Sequence, residues 1–362
     1  MNQNQNNPKR KQQINFVDED GQNLNVADEP DKQSHYRRKK NKKELLLSET
    51  DTINTENLTQ CLIVEVSRKN AKVLIEDDIK DCVIGGQFKE KTESLIATGD
   101  QVLVEKIDEN NWVIRRILER KTKLSRPAAK GTKLSLVKEK VIAANIDVIC
   151  IVVSTLKPAF KPALIDRFLL TAEKNGVSVI IIMNKMDLVD SPPKDIFEYE
   201  KLGIKVIYTI ATEQKGIKEI KETLSNKIAV FTGHSGVGKS SILNAVSPEL
   251  NLKTQDVGDG KHCWRHTTRK STLYLMDNGG MIIDTPGIRE LGVWDIKPEE
   301  LSWYFPEFHE PAEQCKFSNC THDHEPQCNV KDLVEAGQIS SLRYNSYLRV
   351  FESLKEDQNK VY

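Results

Sequence analysis

The segment GHSGVGKS, residues 233–240, fits the phosphate-loop pattern G-x-x-x-x-G-K-S. It follows an apolar run, KIAVF, and precedes a helical pattern, SSILNAV, which is the strand–loop–helix context that this motif requires. Backbone N–H groups of such a loop and the N-terminus of its helix can hold a polyphosphate, and the loop lysine can reach the β- and γ-phosphates. We therefore predict nucleotide contacts from Gly233, His234, Ser235, Gly236, Val237, Gly238, Lys239, Ser240 and Ser241.

A second motif, NKMD at residues 184–187, has the composition of a guanine-binding loop. Asp187 can accept hydrogen bonds from the N1–H and the N2 amine of guanine, and adenine offers neither donor at those positions. Asn184 can bond the other edge of the base, and the lysine stem can cover the ring. After the next apolar strand, TIAT at residues 209–212 can supply the backbone N–H of its alanine. Base contacts are thus predicted for Asn184, Lys185, Met186, Asp187 and Ala211.

The third motif, DTPG at residues 284–287, follows the short apolar run GGMII. At such a strand end the Asp284 carboxylate can hold Mg²⁺ through water, and the Gly287 N–H can meet the γ-phosphate. The hydroxyl group of the phosphate-loop serine can bind the same ion. Magnesium contacts are therefore predicted for Ser240 and Asp284, and a third, Thr268, is predicted from the loop described next.

Residues 257–271, VGDGKHCWRHTTRKS, lie between the phosphate loop and DTPG and lack a regular apolar period. This pattern is typical of a mobile loop, in which Thr268, or its neighbour Thr267, completes the Mg²⁺ shell when a γ-phosphate is present. The residue after DTPG is Ile288, which cannot orient a water molecule. His266 is the candidate for that catalytic role, although a histidine at the surface of a loop explains it equally well.

The order of these motifs is unusual, because NKMD precedes the phosphate loop, whereas an ordinary GTP-binding domain has the reverse order. All the motifs follow apolar strands that alternate with amphipathic helices, a pattern that predicts a parallel sheet covered on both faces. Ligand loops of such a sheet meet at one edge whatever their order along the chain. The sequence therefore predicts a circularly permuted nucleotide-binding domain.

A cysteine cluster, CKFSNCTHDHEPQC, lies within fourteen residues of the C-terminal part of the chain. Three thiolates and one imidazole can form a closed tetrahedral shell for a structural Zn²⁺. The predicted ligands are Cys315, Cys320, His322 and Cys328. His324 is the competing histidine, and His309 is a more distant alternative.

A helical pattern, DLVEAGQISSLRYNSYLRVFESL, follows the cluster and interleaves Arg343, Tyr344, Tyr347 and Arg349. Arginine and tyrosine can stack on unpaired bases or bind phosphates. The same residues can equally form one face of an ordinary amphipathic helix, and the sequence leaves both interpretations open.

The composition sets broad limits on the partners of the chain. Lysine plus arginine equals aspartate plus glutamate, at 53 each, so only local clusters can form a nucleic-acid surface. The polar residues 1–55 are predicted to be disordered, and their basic run YRRKKNKK is either a solvated tail or an arm that attracts RNA phosphates. No apolar run reaches the length of a membrane span, and no signal peptide is recognisable, so we expect a cytoplasmic protein without a membrane partner. We also expect a monomer.

Short alternating runs from residue 58 to about 118 predict a small antiparallel barrel, OB-like, although an SH3-like barrel fits the strand spacing nearly as well. We therefore predict a multidomain chain with an OB-like β-barrel, a circularly permuted α/β P-loop domain and a mostly helical zinc-binding domain. The predicted boundaries are a tail at 1–55, the barrel at 56–120, a basic linker at 121–140, the nucleotide domain at 141–295 and the zinc domain at 296–362.

With these motifs in place, the chain resembles the RsgA (YjeQ) family of circularly permuted GTPases. The resemblance rests on GHSGVGKSSILN, RHTTR, DTPGIREL, NKMDLV, the zinc spacing and RYNSYL, and it extends from about residue 58 to 355. It implies a GTPase that acts in late maturation of the small ribosomal subunit, binds its rRNA, uses Mg²⁺ with GTP, and holds one structural zinc. It also implies that the subunit stimulates hydrolysis and that turnover is coupled to release.

Two hypotheses of different classes remain. The first is a GTPase whose nucleotide state controls docking on the small ribosomal subunit. The second is an rRNA-binding module in which the nucleotide is a ligand with little turnover, as the isoleucine after DTPG suggests.

Overall fold

A computed structural model gives the fold. It describes residues 58–67, 70–76, 78–84, 96–109, 111–127, 139–250, 271–284 and 295–359, without the side chains of residues 249 and 359. Two segments singled out above lie outside the described residues. One is the predicted tail with its basic run at 36–43, and the other is the loop at 257–271 with His266 and Thr268, of which only residue 271 is described. Gly287 and Ile288 also lie outside the described residues.

The described residues form thirteen strands, numbered here in chain order. They are β1 Leu58–Val66, β2 Asn70–Ile75, β3 Asp78–Ile84, β4 Gln101–Lys106, β5 Trp112–Ile117, β6 Lys123–Pro127, β7 Glu139–Ala144, β8 Val148–Ser154, β9 Ser178–Asn184, β10 Lys205–Tyr208, β11 Ile228–Thr232, β12 Thr272–Leu275 and β13 Met281–Asp284.

Seven α-helices lie in the same ranges: α1 Pro162–Asn175, α2 Ile196–Lys201, α3 Ile217–Thr223, α4 Lys239–Val246, α5 His309–Glu313, α6 Asn329–Glu335 and α7 Ser341–Asn359. Short 3₁₀ helices span Met186–Leu188, Ala211–Glu213, Pro248–Leu250, Pro298–Tyr304 and Pro306–Phe308. Among the described residues, no helix combines the length and the apolar character that crossing a bilayer requires.

The first five strands close into a barrel in the order β1-β2-β3-β5-β4, and β4 pairs back to β1. Strands β3 and β5 run parallel, and the other neighbours run antiparallel. Alternate residues of each strand point inward, so Ile63, Val73 and Ile114 are fully buried in its core. Closure of five strands in a Greek-key order confirms the predicted OB-like barrel.

The nucleotide domain is built on strands β10-β9-β8-β11-β13, which are all parallel, with β12 antiparallel at the edge. A single pair, Glu65 and Thr272, joins β1 of the barrel to β12. Successive residues of β8 enter two different cores, one on each face of the sheet. Residues Ile149, Ile151 and Val153 pack on one face, and Val148, Cys150 and Val152 pack on the other. The predicted parallel sheet with two covered faces is confirmed.

This topology is that of a permuted domain. The phosphate loop follows β11, which lies in the middle of the sheet between β8 and β13. Counted from β11, the strands run β11, β12, β13, β8, β9 and β10, so the phosphate loop comes before the NKMD loop at the end of β9. Joining β13 to β8 and cutting before β11 would give the ordinary order and leave every strand in place.

Helix α1 follows β8 and packs on the same sheet. Phe168 and Ala172 are buried against the core that contains Ile149, and Gly176 ends the helix with a left-handed φ of 63°. The C-terminal region is mostly helical and has a separate core rich in aromatic rings, including Phe305, Phe308 and Tyr347.

Candidate nucleotide and metal sites

The phosphate loop connects β11 to α4 and needs glycine at two crowded points. Gly233 has φ 138°, and a Cβ atom there would lie 2.1 Å from the backbone oxygen of Val152 in β8. Gly238 has φ 96°, and a Cβ atom there would lie 2.2 Å from the side-chain nitrogen of Asn184. The loop therefore packs directly on β8 and on the NKMD loop, and side chains at these two positions would push them apart.

Lys239, the first residue of α4, folds back over the loop. Its ammonium group donates to the backbone oxygens of Gly233 at 2.8 Å and His234 at 2.6 Å. Ser240 lies in the first turn of α4, and Asp284 ends β13, which is the parallel neighbour of β11. These two predicted magnesium contacts thus follow the carboxyl ends of two neighbouring parallel strands.

Asn184 joins three loops that are distant in the sequence. Its Nδ2 donates to the backbone oxygen of Val237 at 3.0 Å, across 53 positions of the chain. Its Oδ1 accepts from the Ala211 N–H at 3.2 Å and from the Thr209 hydroxyl at 3.1 Å. The side chain is buried, and its amide nitrogen has a second N–H for the predicted contact with the base. The loops of both predicted base segments and the phosphate loop therefore form one site.

Lys185 makes a second connection to the phosphate loop. Its backbone is left-handed, with φ 62°, and its ammonium group donates to the Gly236 oxygen at 2.7 Å and to the Lys157 oxygen. Burial lowers the pKa of Lys185, and the negative charge of Asp187 partly opposes this shift. Asp187 itself is exposed to solvent, so its carboxylate is accessible to a ligand, and Met186 beside it is half-buried.

The structure adds one segment that the sequence motifs did not identify, the loop that follows β8. Thr155 donates its hydroxyl proton to the Lys185 oxygen at 2.7 Å and its N–H to the Asn184 oxygen at 3.2 Å. Pro158 lies beside Gly236, at 3.6 Å from the position a Cβ atom would take. The signal was present in the sequence, because the loop follows a fully apolar strand of a parallel sheet, where ligand loops lie.

The four predicted metal ligands form a compact group. One ligand atom from each of Cys315, Cys320, His322 and Cys328 lies within 4.8 Å of all the others. The Nδ1 atom of His322 is 3.4 Å from the Cys328 sulfur and 3.6 Å from the Cys315 sulfur. Of the three candidate histidines, the structure selects His322, because His324 is exposed and His309 bonds the Trp303 oxygen at 2.8 Å.

The chemistry of this group fits a soft cation. Burial raises the pKa of Cys320 to about 12, so the thiol needs a nearby positive charge to become a thiolate. Burial also lowers the pKa of His322, which favours the neutral imidazole that binds metals. The group can therefore hold a metal ion, and three sulfur atoms with one nitrogen form a donor set typical of zinc.

Hydrogen bonds fix the loop that carries His322. The Glu325 carboxylate accepts from the Thr321 N–H at 2.7 Å, the Thr321 hydroxyl at 2.6 Å and the Asp323 N–H at 3.1 Å. Burial by itself raises the pKa of Glu325, but these hydrogen bonds outweigh it and lower the pKa to about 2. The hydroxyl of Tyr344 donates to the His322 oxygen at 2.7 Å. These bonds fix the backbone at His322 and at both of its neighbours, and so limit where the imidazole can lie.

Helix α7 buries one of its two arginines and one of its two tyrosines. Arg343 and Tyr347 are buried, Tyr344 is half-buried, and Arg349 is exposed. Of the two interpretations left open for this helix, the structure therefore favours an amphipathic packing face for Arg343 and Tyr347.

Comparison with known proteins gives one consistent family. A model of the RsgA GTPase family matches residues 117–294. Over 290 residues the chain is 39% identical to the small ribosomal subunit biogenesis GTPase RsgA of Flavobacterium psychrophilum, with 77% of this chain and 87% of that protein covered. The protein of the same name from Geobacillus sp. strain WCH70 is 40% identical, with 78% and 93% covered.

Solved structures agree with the sequence matches. The structure of YjeQ from Thermotoga maritima is similar to this chain with a TM-score of 0.67 and 34% identity, covering 82% of this chain and 98% of that one. YloQ, described as a circularly permuted GTPase, has a TM-score of 0.65 and 30% identity, covering 85% of this chain and 99% of that one.

Proposed function

The chain belongs to the RsgA GTPase family, and from this premise we propose that it hydrolyses GTP to GDP and phosphate during late maturation of the small ribosomal subunit. In this proposal the protein binds the rRNA of the subunit, the subunit stimulates hydrolysis, and turnover is coupled to release. Its relatives are named small ribosomal subunit biogenesis GTPases, and these names support the small ribosomal subunit as the partner.

One observation carries the proposal: the segments predicted to bind the base and the phosphates are in direct contact. Asn184 bonds Val237 at 3.0 Å, and Lys185 bonds Gly236 at 2.7 Å. A single nucleotide can therefore touch both segments, with its base near the exposed Asp187 and its phosphates over the loop that ends at Lys239. Without this contact the two motifs would be separate chance matches.

The bound ions have distinct roles in this proposal. Mg²⁺, held by Ser240 and Asp284 with Thr268, would neutralise charge on the phosphates of GTP. His266 would orient the attacking water, since Ile288 cannot. Zinc, held by Cys315, Cys320, His322 and Cys328, would be structural, because these four residues would complete a tetrahedral shell.

The test of the activity is multiple-turnover release of phosphate from GTP, with and without purified small ribosomal subunits. We expect slow hydrolysis by the protein alone and a large increase with the subunits. Large ribosomal subunits at the same concentration are the control. If small subunits bind the protein but leave the rate unchanged, the chain is a nucleotide-gated rRNA-binding module with little turnover.

The base preference tests the site itself. Asp187→Asn replaces a carboxylate acceptor with an amide, whose N–H₂ group repels the donors of guanine. We expect the preference for GTP over ATP to fall by at least tenfold, because a site built for hydrogen bonds discriminates strongly. Calorimetric titration with both nucleotides measures it, and Asp190→Asn, at an exposed residue just beyond the motif, is the matched control. An unchanged preference in Asp187→Asn would refute the assigned role.

A further inference from the structure

Arg343 of helix α7 is buried between two carboxylates, with 2% of its side chain exposed. Its Nη1 atom is 2.7 Å from the Asp166 Oδ1 atom, and its Nε atom is 2.6 Å from the Glu307 Oε1 atom. The guanidinium group also lies 4.6 Å from the centre of the Phe305 ring. Because the guanidinium group is planar and rigid, it sets the direction as well as the length of its hydrogen bonds to both carboxylates.

The two carboxylates lie in different parts of the fold. Glu307 belongs to the C-terminal aromatic region, in the short helix Pro306–Phe308, whereas Asp166 lies on α1, which packs on the nucleotide-binding sheet. In the part of the chain that the structure describes, Asp166 Oδ2 and Glu307 Oε2 have no hydrogen-bond partner. Arg343 therefore compensates part of the buried negative charge, and its loss would leave both carboxylates poorly solvated.

Helix α1 leads from this cluster to the nucleotide site. The Tyr199 hydroxyl donates to Asp166 at 2.9 Å and contacts the Pro162 oxygen at 3.2 Å, so it holds the carboxylate to the first residue of α1. The loop that precedes α1 contains Lys157, whose backbone oxygen accepts from Lys185. Lys185 in turn bonds the phosphate loop at Gly236. The chain of contacts from Arg343 to the phosphate loop is thus continuous.

We propose that Arg343 is a positioning residue for guanine-nucleotide binding. Through Asp166 it fixes α1 against the C-terminal region, and α1 fixes the loop that holds Lys185 over the phosphate loop. This inference rests on the proposed function, because it assigns a role in holding the nucleotide that the function requires. It also couples the metal-binding region to the nucleotide site, so that a movement of α7 changes nucleotide affinity.

The first experiment compares two identical substitutions on one helix. Arg343→Met removes the buried guanidinium, and Arg349→Met changes an exposed arginine further along α7 as the matched control. The measurement is the rate of release of a fluorescent GDP analogue, together with metal content and circular dichroism. We expect Arg343→Met to release GDP about fivefold faster, within the range that substitutions along a coupling network produce, and Arg349→Met to match the unmodified protein.

The two carboxylates separate a positioning role from a local structural one. If Arg343 acts through α1, Asp166→Ala should accelerate GDP release as Arg343→Met does, and the double variant should be no faster than either single variant. Glu307→Ala should have a smaller effect, since Glu307 lies outside α1 and the bond from Arg343 to Asp166 remains. If Glu307→Ala accelerates release and Asp166→Ala does not, the proposal is overturned.

A charge-free variant covers the case in which Arg343→Met does not fold. The combination of Asp166→Asn, Glu307→Gln and Arg343→Met leaves no uncompensated buried charge, and neutral replacements of buried ionic clusters are often tolerated. This triple variant should fold because it has no unpaired buried charge. It should still release GDP about fivefold faster, because it lacks the guanidinium group that links α1 to the C-terminal region. A folded variant with unmodified release kinetics would overturn the proposal. Failure of the unmodified protein to bind GDP would instead refute the proposed function.

Discussion

The candidate metal site and the candidate nucleotide site are built in opposite ways. The four predicted metal ligands lie within fourteen consecutive residues, and the local chain with its hydrogen bonds brings them together. The nucleotide site instead depends on side chains that meet across the sheet, such as Asn184 and Val237, which are 53 positions apart. A permutation of the chain would destroy a local site that it cut, but it preserves a site that is defined by the edge of a sheet.

The largest effect is expected at the local site, from Cys320→Ser. A structural metal contributes its binding free energy to folding, so the loss of one thiolate should remove the metal and destabilise the C-terminal region by at least about 3 kcal/mol. Elemental analysis and thermal unfolding measure both effects. The control is Cys61→Ser, which changes a buried barrel cysteine outside the group and should leave the metal content unchanged. Full metal content in Cys320→Ser would contradict the assignment.

An intermediate effect is expected where the nucleotide site is assembled, from Gly238→Ala. The new Cβ would lie 2.2 Å from the Asn184 nitrogen on a backbone with φ 96°, so the two loops must separate. We expect a loss of about 2–3 kcal/mol in stability and at least tenfold in GTP affinity, with the metal content unchanged.

The matched control for this prediction is Gly176→Ala at the end of α1. That residue also has a positive φ, 63°, but nothing lies within 4 Å of the position of its Cβ. It should lose about 1 kcal/mol from backbone strain and keep its GTP affinity. Equal losses of GTP affinity in the two variants would show that strain, and not the contact between loops, holds the nucleotide site together.

The smallest effect is expected from Glu325→Gln. The amide keeps the size of the side chain but loses the charge that strengthens its three hydrogen bonds to the His322 loop. Metal affinity should fall by about tenfold, or about 1.4 kcal/mol, as competition with a chelator measures it. Glu310→Gln, at an exposed position of the same region, should not change it. An unchanged affinity in Glu325→Gln would mean that the metal alone orders this loop.

Sequence reasoning was strongest where chemistry is concentrated in a short segment. The cysteine spacing, the phosphate loop and the apolar strands each predicted their local structure, and the family, the permuted fold and the barrel are confirmed. It was weakest where a residue depends on distant partners. The loop around Lys157 carries no motif, and the burial of Arg343 between two carboxylates depends on helices that lie far apart in the sequence.

By itself, the sequence determined which groups are candidates to bind phosphate, guanine and a metal, because the candidates follow from residue type and short spacing. Only the tertiary structure decided that Asn184 holds three loops together, that His322 and not His324 joins the cysteines, and that Arg343 faces the interior. The physical reason is that packing between elements sets the burial and the hydrogen-bond partners of each side chain. A local sequence pattern does not specify which elements pack together.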